Sequence, residues 1–140
     1  MTTKKTILIL CTGNSCRSQM AEALIRHHFN HALDVYSAGT KPSFVHPKAI
    51  TVINELGIDM STHSSKLITD IPIKQFDIVV TVCDNAKESC PFIPGKHTLI
   101  HQPFEDPADL TGTPEAILDG FKRIRDEISA TFITTLPQYI

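Results

Sequence analysis

The sequence predicts one α/β domain, spanning residues 1–140, in which a central four-stranded parallel sheet is flanked by helices on both faces. Continuous apolar runs at residues 6–10 and 76–82 are typical of buried strands, and two further strands are predicted at residues 33–38 and 97–100. Segments with a helical spacing of apolar residues separate these runs, and strands that alternate with helices form parallel sheets. A chain of 140 residues is also long enough to bury a core without disulfides or a metal.

Three helices are predicted between and after these strands. The first runs from residue 17 to residue 29. The second begins at Pro47, a residue that suits the first position of a helix, and its apolar face is formed by Ile50, Ile53 and Leu56. The last begins at Pro114, and its apolar stripe keeps close to a 3.6-residue period through Ile117, Phe121, Ile124, Ile128 and Phe132.

The composition narrows the function classes. The formal charge is −2 and the pI is about 6.4, which argues against a surface that binds polyanions. No apolar run approaches the roughly 20 residues that a membrane-spanning helix needs, and the run after the N-terminus is too short for a secretory signal. We therefore expect a cytoplasmic protein. In that compartment four cysteines suggest redox chemistry or metal binding.

The stretch at residues 11–18 places a cysteine at a strand end and an arginine six positions later at a helix start. Such a loop directs backbone N–H groups and a helix N-terminus at a bound tetrahedral anion. The helix end and Arg17 favour the thiolate of Cys11, to which the Ser18 hydroxyl can donate. Asn14 suits the loop because asparagine tolerates positive φ. We predict a nucleophilic Cys11 facing a phosphate-like anion, which is bound by Thr12, Gly13, Asn14, Ser15, Cys16, Arg17 and Ser18.

A second pair of cysteines, Cys83 and Cys90, follows the third predicted strand. If the residues between them are helical, their Cα atoms lie roughly 10 Å apart, whereas a disulfide requires about 7 Å or less. A bridge therefore requires this segment to unwind, which Pro91 and the polar residues before it permit. One interpretation is a redox-coupled segment that opens on oxidation. A zinc site is disfavoured because the cysteines lack a Cys-x-x-Cys spacing.

A carboxylate on a loop that proline restrains, Asp106, follows the fourth predicted strand. Parallel sheets bind ligands at the carboxyl ends of their strands, where Cys11, Cys83 and Asp106 are all expected. In that place Asp106 can protonate a leaving oxygen. The seven histidines show no metal-ligand spacing. Glu22 and residues 34–37 could line a small site beside the loop, but the simpler expectation is that Glu22 is a solvated helix residue.

Each of these features also has a purely structural interpretation. A cysteine that ends a strand commonly packs as a small apolar group, which is the alternative for Cys11. Cys83 and Cys90 can be two unrelated buried cysteines. Asp106 can belong to an ordinary surface turn, because Asp-Pro is common turn chemistry.

The pattern Cys-x-x-x-x-x-Arg-Ser at residues 11–18, with Asp-Pro at 106–107, resembles the low-molecular-weight protein tyrosine phosphatase fold over essentially the whole chain. Within that superfamily the chain is similar to the thioredoxin-coupled arsenate reductases in the sequences of three segments, residues 11–22, 36–39 and 82–91. The paired Cys83 and Cys90 separate a reductase from a phosphatase.

The resemblance implies that arsenate is reduced to arsenite by a relay of three cysteines. Cys11 attacks arsenate, Arg17 and the loop amides hold its oxygens, and Asp106 protonates the departing hydroxide. Cys83 then attacks Cys11 and arsenite leaves, after which Cys90 attacks Cys83 and frees Cys11. Reduced thioredoxin is the implied electron donor. No tightly bound cofactor, metal, nucleic acid or membrane is implied, and we expect a monomer.

One departure from the family pattern concerns the substrate. Phosphatases of this fold tend to carry aromatic residues just after Asp-Pro, where this chain has Ala108 and Asp109. The difference counts against an aryl substrate. Hydrolysis of phosphate monoesters through a Cys11 phospho-enzyme is one alternative function, and a non-enzymatic thiol switch or metal-binding regulator is another.

A second departure concerns ions. Some relatives hold a monovalent cation beside the anion loop, with groups that resemble Asn14, Glu22 and Ser37 and with an acidic residue from the loop after the second helix. This chain has Ser65 and Lys66 around the matching place. We therefore expect no cation there, and we expect the ammonium group of Lys66 in part of that space.

Overall fold

The predicted four-stranded parallel sheet is confirmed in a computed structural model, which describes residues 4–83 and 93–140. Its strands are β1 (Lys5–Cys11), β2 (Leu33–Gly39), β3 (Ile78–Thr81) and β4 (Thr98–His101). They lie in the order β2–β1–β3–β4, and every neighbouring pair is parallel. The third strand is shorter than the apolar run that predicted it, because that run also includes residues that flank the paired segment.

Three α-helices accompany the sheet in the described part of the chain: α1 (Arg17–Phe29), α2 (Pro47–Asn54) and α3 (Pro114–Thr135). The hydroxyl of Thr113 caps α3 by accepting a hydrogen bond from the backbone N–H of Ala116. Three short 3₁₀ helices follow other segments, at Ile68–Asp70, Pro107–Asp109 and Leu136–Tyr139. None of the helices between residues 4 and 83 or between 93 and 140 has the length and apolarity needed to cross a membrane.

The core has two parts because side chains alternate between the two faces of each strand. Ile7 and Ile9 of β1 belong to the larger part, which contains the buried residues of α1, α2 and α3. Leu8 and Leu10 belong to the smaller part, where the partly buried Ile68 of a 3₁₀ helix packs. The central strands β1 and β3 are therefore covered on both faces, as their continuous apolar runs predict, whereas the edge strand β4 is largely exposed.

The predicted apolar face of α2 is only partly correct. Ile53 is fully buried and Ile50 is half-buried, but Leu56 is 45 % exposed. Because α2 ends at Asn54, Leu56 lies beyond the helix and does not continue its apolar stripe. The buried positions of the helix are instead Ala49, Val52 and Ile53.

The register of the strands brings their carboxyl ends to one edge of the sheet. Cys11 at the end of β1 pairs with Gly39 at the end of β2. Leu10 pairs with Thr81 at the end of β3, so Cys83 follows β3 at the same edge. The chain also leaves β4 at this edge, toward Asp106. The expected gathering of candidate residues at one edge is therefore observed.

Candidate active site

Cys11 lies at the base of a loop that leads directly into α1. Its side chain is buried, and its Sγ lies 2.9 Å from the Oγ of Ser18, the contact that the sequence predicts. Arg17 is the first residue of α1 and is also buried. The sulfur and the N-terminus of α1 therefore meet at one loop, which is an arrangement that attracts an anion.

The carbonyl groups of this anion loop (residues 12–16) are held from outside. The segment at residues 40–46 supplies three backbone donors, which are Lys41 N to Thr12 O (2.9 Å), Ser43 N to Gly13 O (3.3 Å) and His46 N to Ser15 O (3.1 Å). The Ser65 hydroxyl donates to the Gly13 carbonyl as well, at 3.0 Å. In a trans peptide the C=O and the next N–H point in opposite directions. These contacts therefore turn the loop's N–H groups inward, as an oxyanion cradle requires.

Gly39 allows the end of β2 to approach the anion loop closely. A Cβ at this position would lie only 2.5 Å from the carbonyl oxygen of Thr12, which is closer than non-bonded atoms can come. The absence of a side chain at Gly39 therefore permits this close approach.

Asn14 is the central structural residue of the loop. It adopts φ 47°, the only positive φ outside glycine among the described residues. Its Nδ2 donates to Oγ of Ser18 (2.8 Å) and of Ser37 (3.0 Å), and its Oδ1 accepts from the backbone N–H of Lys66 (2.9 Å). Because Ser18 in turn contacts the Cys11 sulfur, the side chain of Asn14 links the shape of the loop to the position of the thiol.

The expectation that Glu22 is solvated is wrong. Glu22 is buried and accepts a short hydrogen bond from the Ser37 hydroxyl. Its carboxylate also pairs with the guanidinium of Arg26, one turn later in α1, at 2.8 Å. Burial of this carboxylate depends on partners from β2 and from its own helix, and helical spacing alone does not reveal them.

The structure brings Asp106 to Arg17. The guanidinium donates to the Asp106 carboxylate at 3.4 Å and to the backbone carbonyl of Phe104 at 3.4 Å. The other carboxylate oxygen of Asp106 accepts from the N–H of Ala108 (3.0 Å), which fixes the side chain at the start of a 3₁₀ helix. The carboxylate is partly exposed, so it lies where a substrate entering the loop from solvent can meet it.

Cys83 is fully buried two residues after β3, beside the strand that carries Cys11. It is disulfide-bonded, whereas Cys11 and Cys16 are free thiols. The predicted role of Cys90, and the predicted unwinding between Cys83 and Cys90, fall outside the described residues.

Cys16 has the features of an unreactive thiol. Burial raises its pKa to about 12, although the hydroxyl of Ser15 acts in the opposite direction. At pH 8 a thiol with this pKa is ionised in only about one molecule in ten thousand. Of the two cysteines at positions 11 and 16, Cys16 is therefore the less suited to act as a nucleophile.

The ammonium group of Lys66 lies beside Ser37 and Glu22, which is the place that the sequence predicts for it. Its ammonium group donates to the backbone carbonyls of Ser64 (2.7 Å) and Ser37 (3.2 Å), next to the buried Glu22. Burial lowers the pKa of this amine, while the charge of Glu22 opposes the shift. Within residues 4–83 and 93–140, His, Cys, Asp and Glu side chains form no cluster suited to a metal ion.

Two residues that contribute to the site, Gln19 and His63, are missed by sequence reasoning. Gln19 is fully buried and donates from its amide to the carbonyls of Asn14 and Ser64. The imidazole of His63 contacts the Gln19 amide oxygen at 2.9 Å, and burial lowers its pKa. The mostly polar sequence of residues 59–65, which contains His63, is consistent both with a loop near a site and with solvated surface, so it does not predict this contact.

Comparison with known proteins places this geometry in a family. A family model described as low molecular weight phosphotyrosine protein phosphatase matches residues 6–136. The chain belongs to this family. Members of the family with the name arsenate reductase are similar to it over nearly their whole length: that of Staphylococcus aureus (strain Newman) is 47 % identical over 126 residues, which cover 90 % of this chain and 92 % of the relative.

Solved structures of family members agree. An arsenate reductase in a phosphate-binding state is 26 % identical, with a TM-score of 0.78 and coverage of 97 % of this chain and 99 % of that one. A thioredoxin-dependent arsenate reductase from Corynebacterium glutamicum is 29 % identical, with a TM-score of 0.61 and coverage of 93 % of this chain and 64 % of that one. The resemblance to the arsenate reductases of this phosphatase fold, which residues 11–22, 36–39 and 82–91 indicate, is therefore confirmed.

Proposed function

We propose that this protein reduces arsenate to arsenite with Cys11, Cys83 and Cys90 acting in turn and with reduced thioredoxin as the electron donor. The observation that carries the proposal is the contrast between two buried cysteines. Cys11 is a free thiol at the base of an anion loop, whereas Cys83, at the same edge of the sheet, is already disulfide-bonded. A phosphatase needs only the first of these, whereas a reductase needs both.

The first step uses the groups around the anion loop. Arsenate is held by the inward N–H groups of residues 12–16 and by Arg17, which releases Asp106 when an oxyanion arrives. The Cys11 thiolate, next to the Ser18 hydroxyl, attacks arsenic and forms a sulfur–arsenic bond. Asp106 supplies the proton with which the displaced hydroxide leaves as water.

The second step transfers two electrons to arsenic. The Cys83 thiolate attacks the sulfur of Cys11, and the electron pair of the sulfur–arsenic bond stays on arsenic, which leaves as arsenite. A Cys11–Cys83 disulfide forms. Cys90 then attacks Cys83, which releases Cys11 and leaves the oxidised pair Cys83–Cys90. In balance, arsenate and two thiols yield arsenite, one disulfide and water.

Thioredoxin completes the cycle by reducing the Cys83–Cys90 disulfide. Support comes from the similar Corynebacterium glutamicum protein, which is thioredoxin-dependent. We assign the reaction to the cytoplasm, where thioredoxin keeps thiols reduced. One chain supplies every group in the scheme, so a monomer suffices and no bound cofactor is required.

The test is arsenate-dependent oxidation of NADPH in a mixture that contains the protein, thioredoxin and thioredoxin reductase. We expect turnover with arsenate, none when phosphate replaces it, and none with Cys11→Ser, Cys83→Ser or Cys90→Ser. Absence of NADPH oxidation with fully reduced wild-type protein would refute the proposal. Unchanged turnover in Cys90→Ser would refute the relay as drawn.

Hydrolysis of aryl phosphates is a second candidate, which one observation favours. Although Ala108 and Asp109 offer no aromatic contact, the ring of Phe44 is 59 % exposed and stacks on His46, beside residues that hold the anion loop. If this ring contacts an aryl group, Phe44→Ala lowers kcat/KM for p-nitrophenyl phosphate and leaves that for arsenate unchanged. Equal kcat/KM values for the aryl phosphate in both proteins would exclude this contact.

A further inference from the structure

We propose that Gln19 is a positioning residue, which holds the peptide between Asn14 and Ser15 in the orientation that binds the oxyanion. The inference rests on the proposed function, in which the anion loop binds arsenate. It concerns a residue that makes no contact with the reacting atoms and acts through the backbone.

The amide of Gln19 has all its hydrogen-bonding groups engaged. Gln19 lies in the first turn of α1 and is fully buried. Its Nε2 donates to the carbonyl oxygen of Asn14 (3.1 Å) and to that of Ser64 (2.9 Å). The remaining polar atom of the amide, Oε1, lies 2.9 Å from Nδ1 of His63. An amide oxygen can only accept a hydrogen bond, so Nδ1 of His63 is the donor.

The contact with Asn14 determines where the next N–H points. A trans peptide places its C=O and N–H on opposite sides. Drawing the Asn14 carbonyl outward to Gln19 therefore turns the N–H of Ser15 into the anion loop. Asn14 adopts a positive φ, which is a sparsely populated conformation for a residue other than glycine. The Asn14–Ser15 peptide therefore directly follows the most strained backbone of the loop.

The Asn14–Ser15 peptide is held differently from its neighbours. The carbonyls of Thr12, Gly13 and Ser15 accept from backbone N–H groups of the segment at residues 40–46. The Asn14 carbonyl accepts from a side chain instead. A substitution at position 19 can therefore release this peptide while leaving the other clamps in place.

His63 supports Gln19 from the outer side. Its imidazole is almost completely buried, and its Nε2 accepts from the guanidinium of Arg26 at 3.2 Å. Arg26 also binds the carbonyl of Val35 (2.6 Å) and the carboxylate of Glu22 (2.8 Å). The contacts of Arg26 thus hold the imidazole ring of His63 in place. The ring in turn holds the amide oxygen of Gln19, which opposes rotation of the amide group.

The decisive variant is Gln19→Met, which keeps the length of the side chain and removes both donors. The matched control is Gln138→Met, because Gln138 carries an exposed amide whose Nε2 donates to Thr135 at the opposite end of the chain. The probe is inorganic phosphate, titrated into each fully reduced protein by calorimetry. Kinetics with arsenate then separate KM from kcat.

We expect Gln19→Met to raise the Kd for phosphate by about tenfold or more, the effect of losing one hydrogen bond to a charged group. KM for arsenate should rise by a similar factor and kcat should change less, while Gln138→Met matches wild type. A lowered Tm with wild-type phosphate affinity would overturn the proposal, because it indicates a purely structural role.

A second variant applies if Gln19→Met fails to fold. His63→Leu removes the donor that holds the amide oxygen of Gln19, and we expect a smaller rise in the phosphate Kd, of about threefold. Unchanged phosphate affinity in His63→Leu then overturns the proposal. Failure of the proposed function has a different signature, namely a wild-type protein that binds phosphate but does not oxidise NADPH with arsenate.

Discussion

Replacing Asn14 tests how far the shape of the anion loop depends on one side chain. Asn14→Gly removes the contacts with Ser18, Ser37 and the backbone N–H of Lys66 but keeps positive φ without strain. Asn14→Ala removes the same contacts and also places a Cβ in the left-handed region. The two variants therefore separate the hydrogen bonds from the backbone conformation.

The expected magnitudes follow from what each contact leaves behind. Ser18 and Ser37 keep other partners, Cys11 and Glu22, so each lost bond costs about 1 kcal/mol. The backbone N–H of Lys66 loses its acceptor, the Oδ1 of Asn14, and an unsatisfied donor costs about 1–3 kcal/mol. Asn14→Gly should thus lower the free energy of unfolding by about 3–5 kcal/mol, and Asn14→Ala by roughly 1 kcal/mol more.

The assay is equilibrium urea unfolding of the three reduced proteins, followed by circular dichroism. The effect is large against the 5–15 kcal/mol typical of a domain, so the midpoints should separate clearly. A loss below about 1 kcal/mol in Asn14→Gly would show that the three contacts are not structurally important. Equal stability of Asn14→Ala and Asn14→Gly would show that a Cβ in the left-handed region at position 14 costs no free energy of unfolding.

Three further predictions follow from single contacts or charges. Gly39→Ala should disrupt anion binding, because the new Cβ meets a loop carbonyl at 2.5 Å; unchanged phosphate affinity by calorimetry would contradict this. Burial lowers the pKa of the His63 imidazole below its ordinary value of 6.5. As the pH falls, the imidazole is therefore protonated in the unfolded state before it is protonated in the folded state, and the free energy of unfolding decreases below pH 6.5. His63→Leu should flatten that slope in urea titrations, and an equal slope refutes the assignment. Potassium should leave Tm unchanged relative to sodium, because the ammonium of Lys66 lies beside Ser37; a potassium-specific rise counts against it.

The parts of the fold that were predictable are those that local pattern determines. The apolar run of β1, the loop at residues 11–18 and the start of α1 at Arg17 all lie where the sequence places them. Thr113 and Pro114 likewise mark the start of α3. In each case neighbouring residues supply both the signal and the physical cause, through strand burial, anion-loop chemistry or helix capping.

The parts that were missed depend on contacts between distant segments. The position of Glu22 in its helix predicts a solvated side chain. In the folded chain its carboxylate is buried and accepts a hydrogen bond from Ser37 of β2. Gln19 and His63 are 44 positions apart, and nothing local to either residue predicts their contact. Leu56 continues the spacing of α2, although the helix ends before it. Periodicity thus locates elements, whereas the polar network around the anion loop emerges only from the folded chain.

The most direct test of the central claim is a disulfide map of reduced protein after one equivalent of arsenate, without thioredoxin. Wild type should yield one arsenite per chain, a Cys83–Cys90 disulfide and a free Cys11, and Cys90→Ser should stop at a Cys11–Cys83 disulfide. Arsenite formation without either disulfide, or oxidation of Cys83 in equal amount when phosphate replaces arsenate, would contradict the three-cysteine relay.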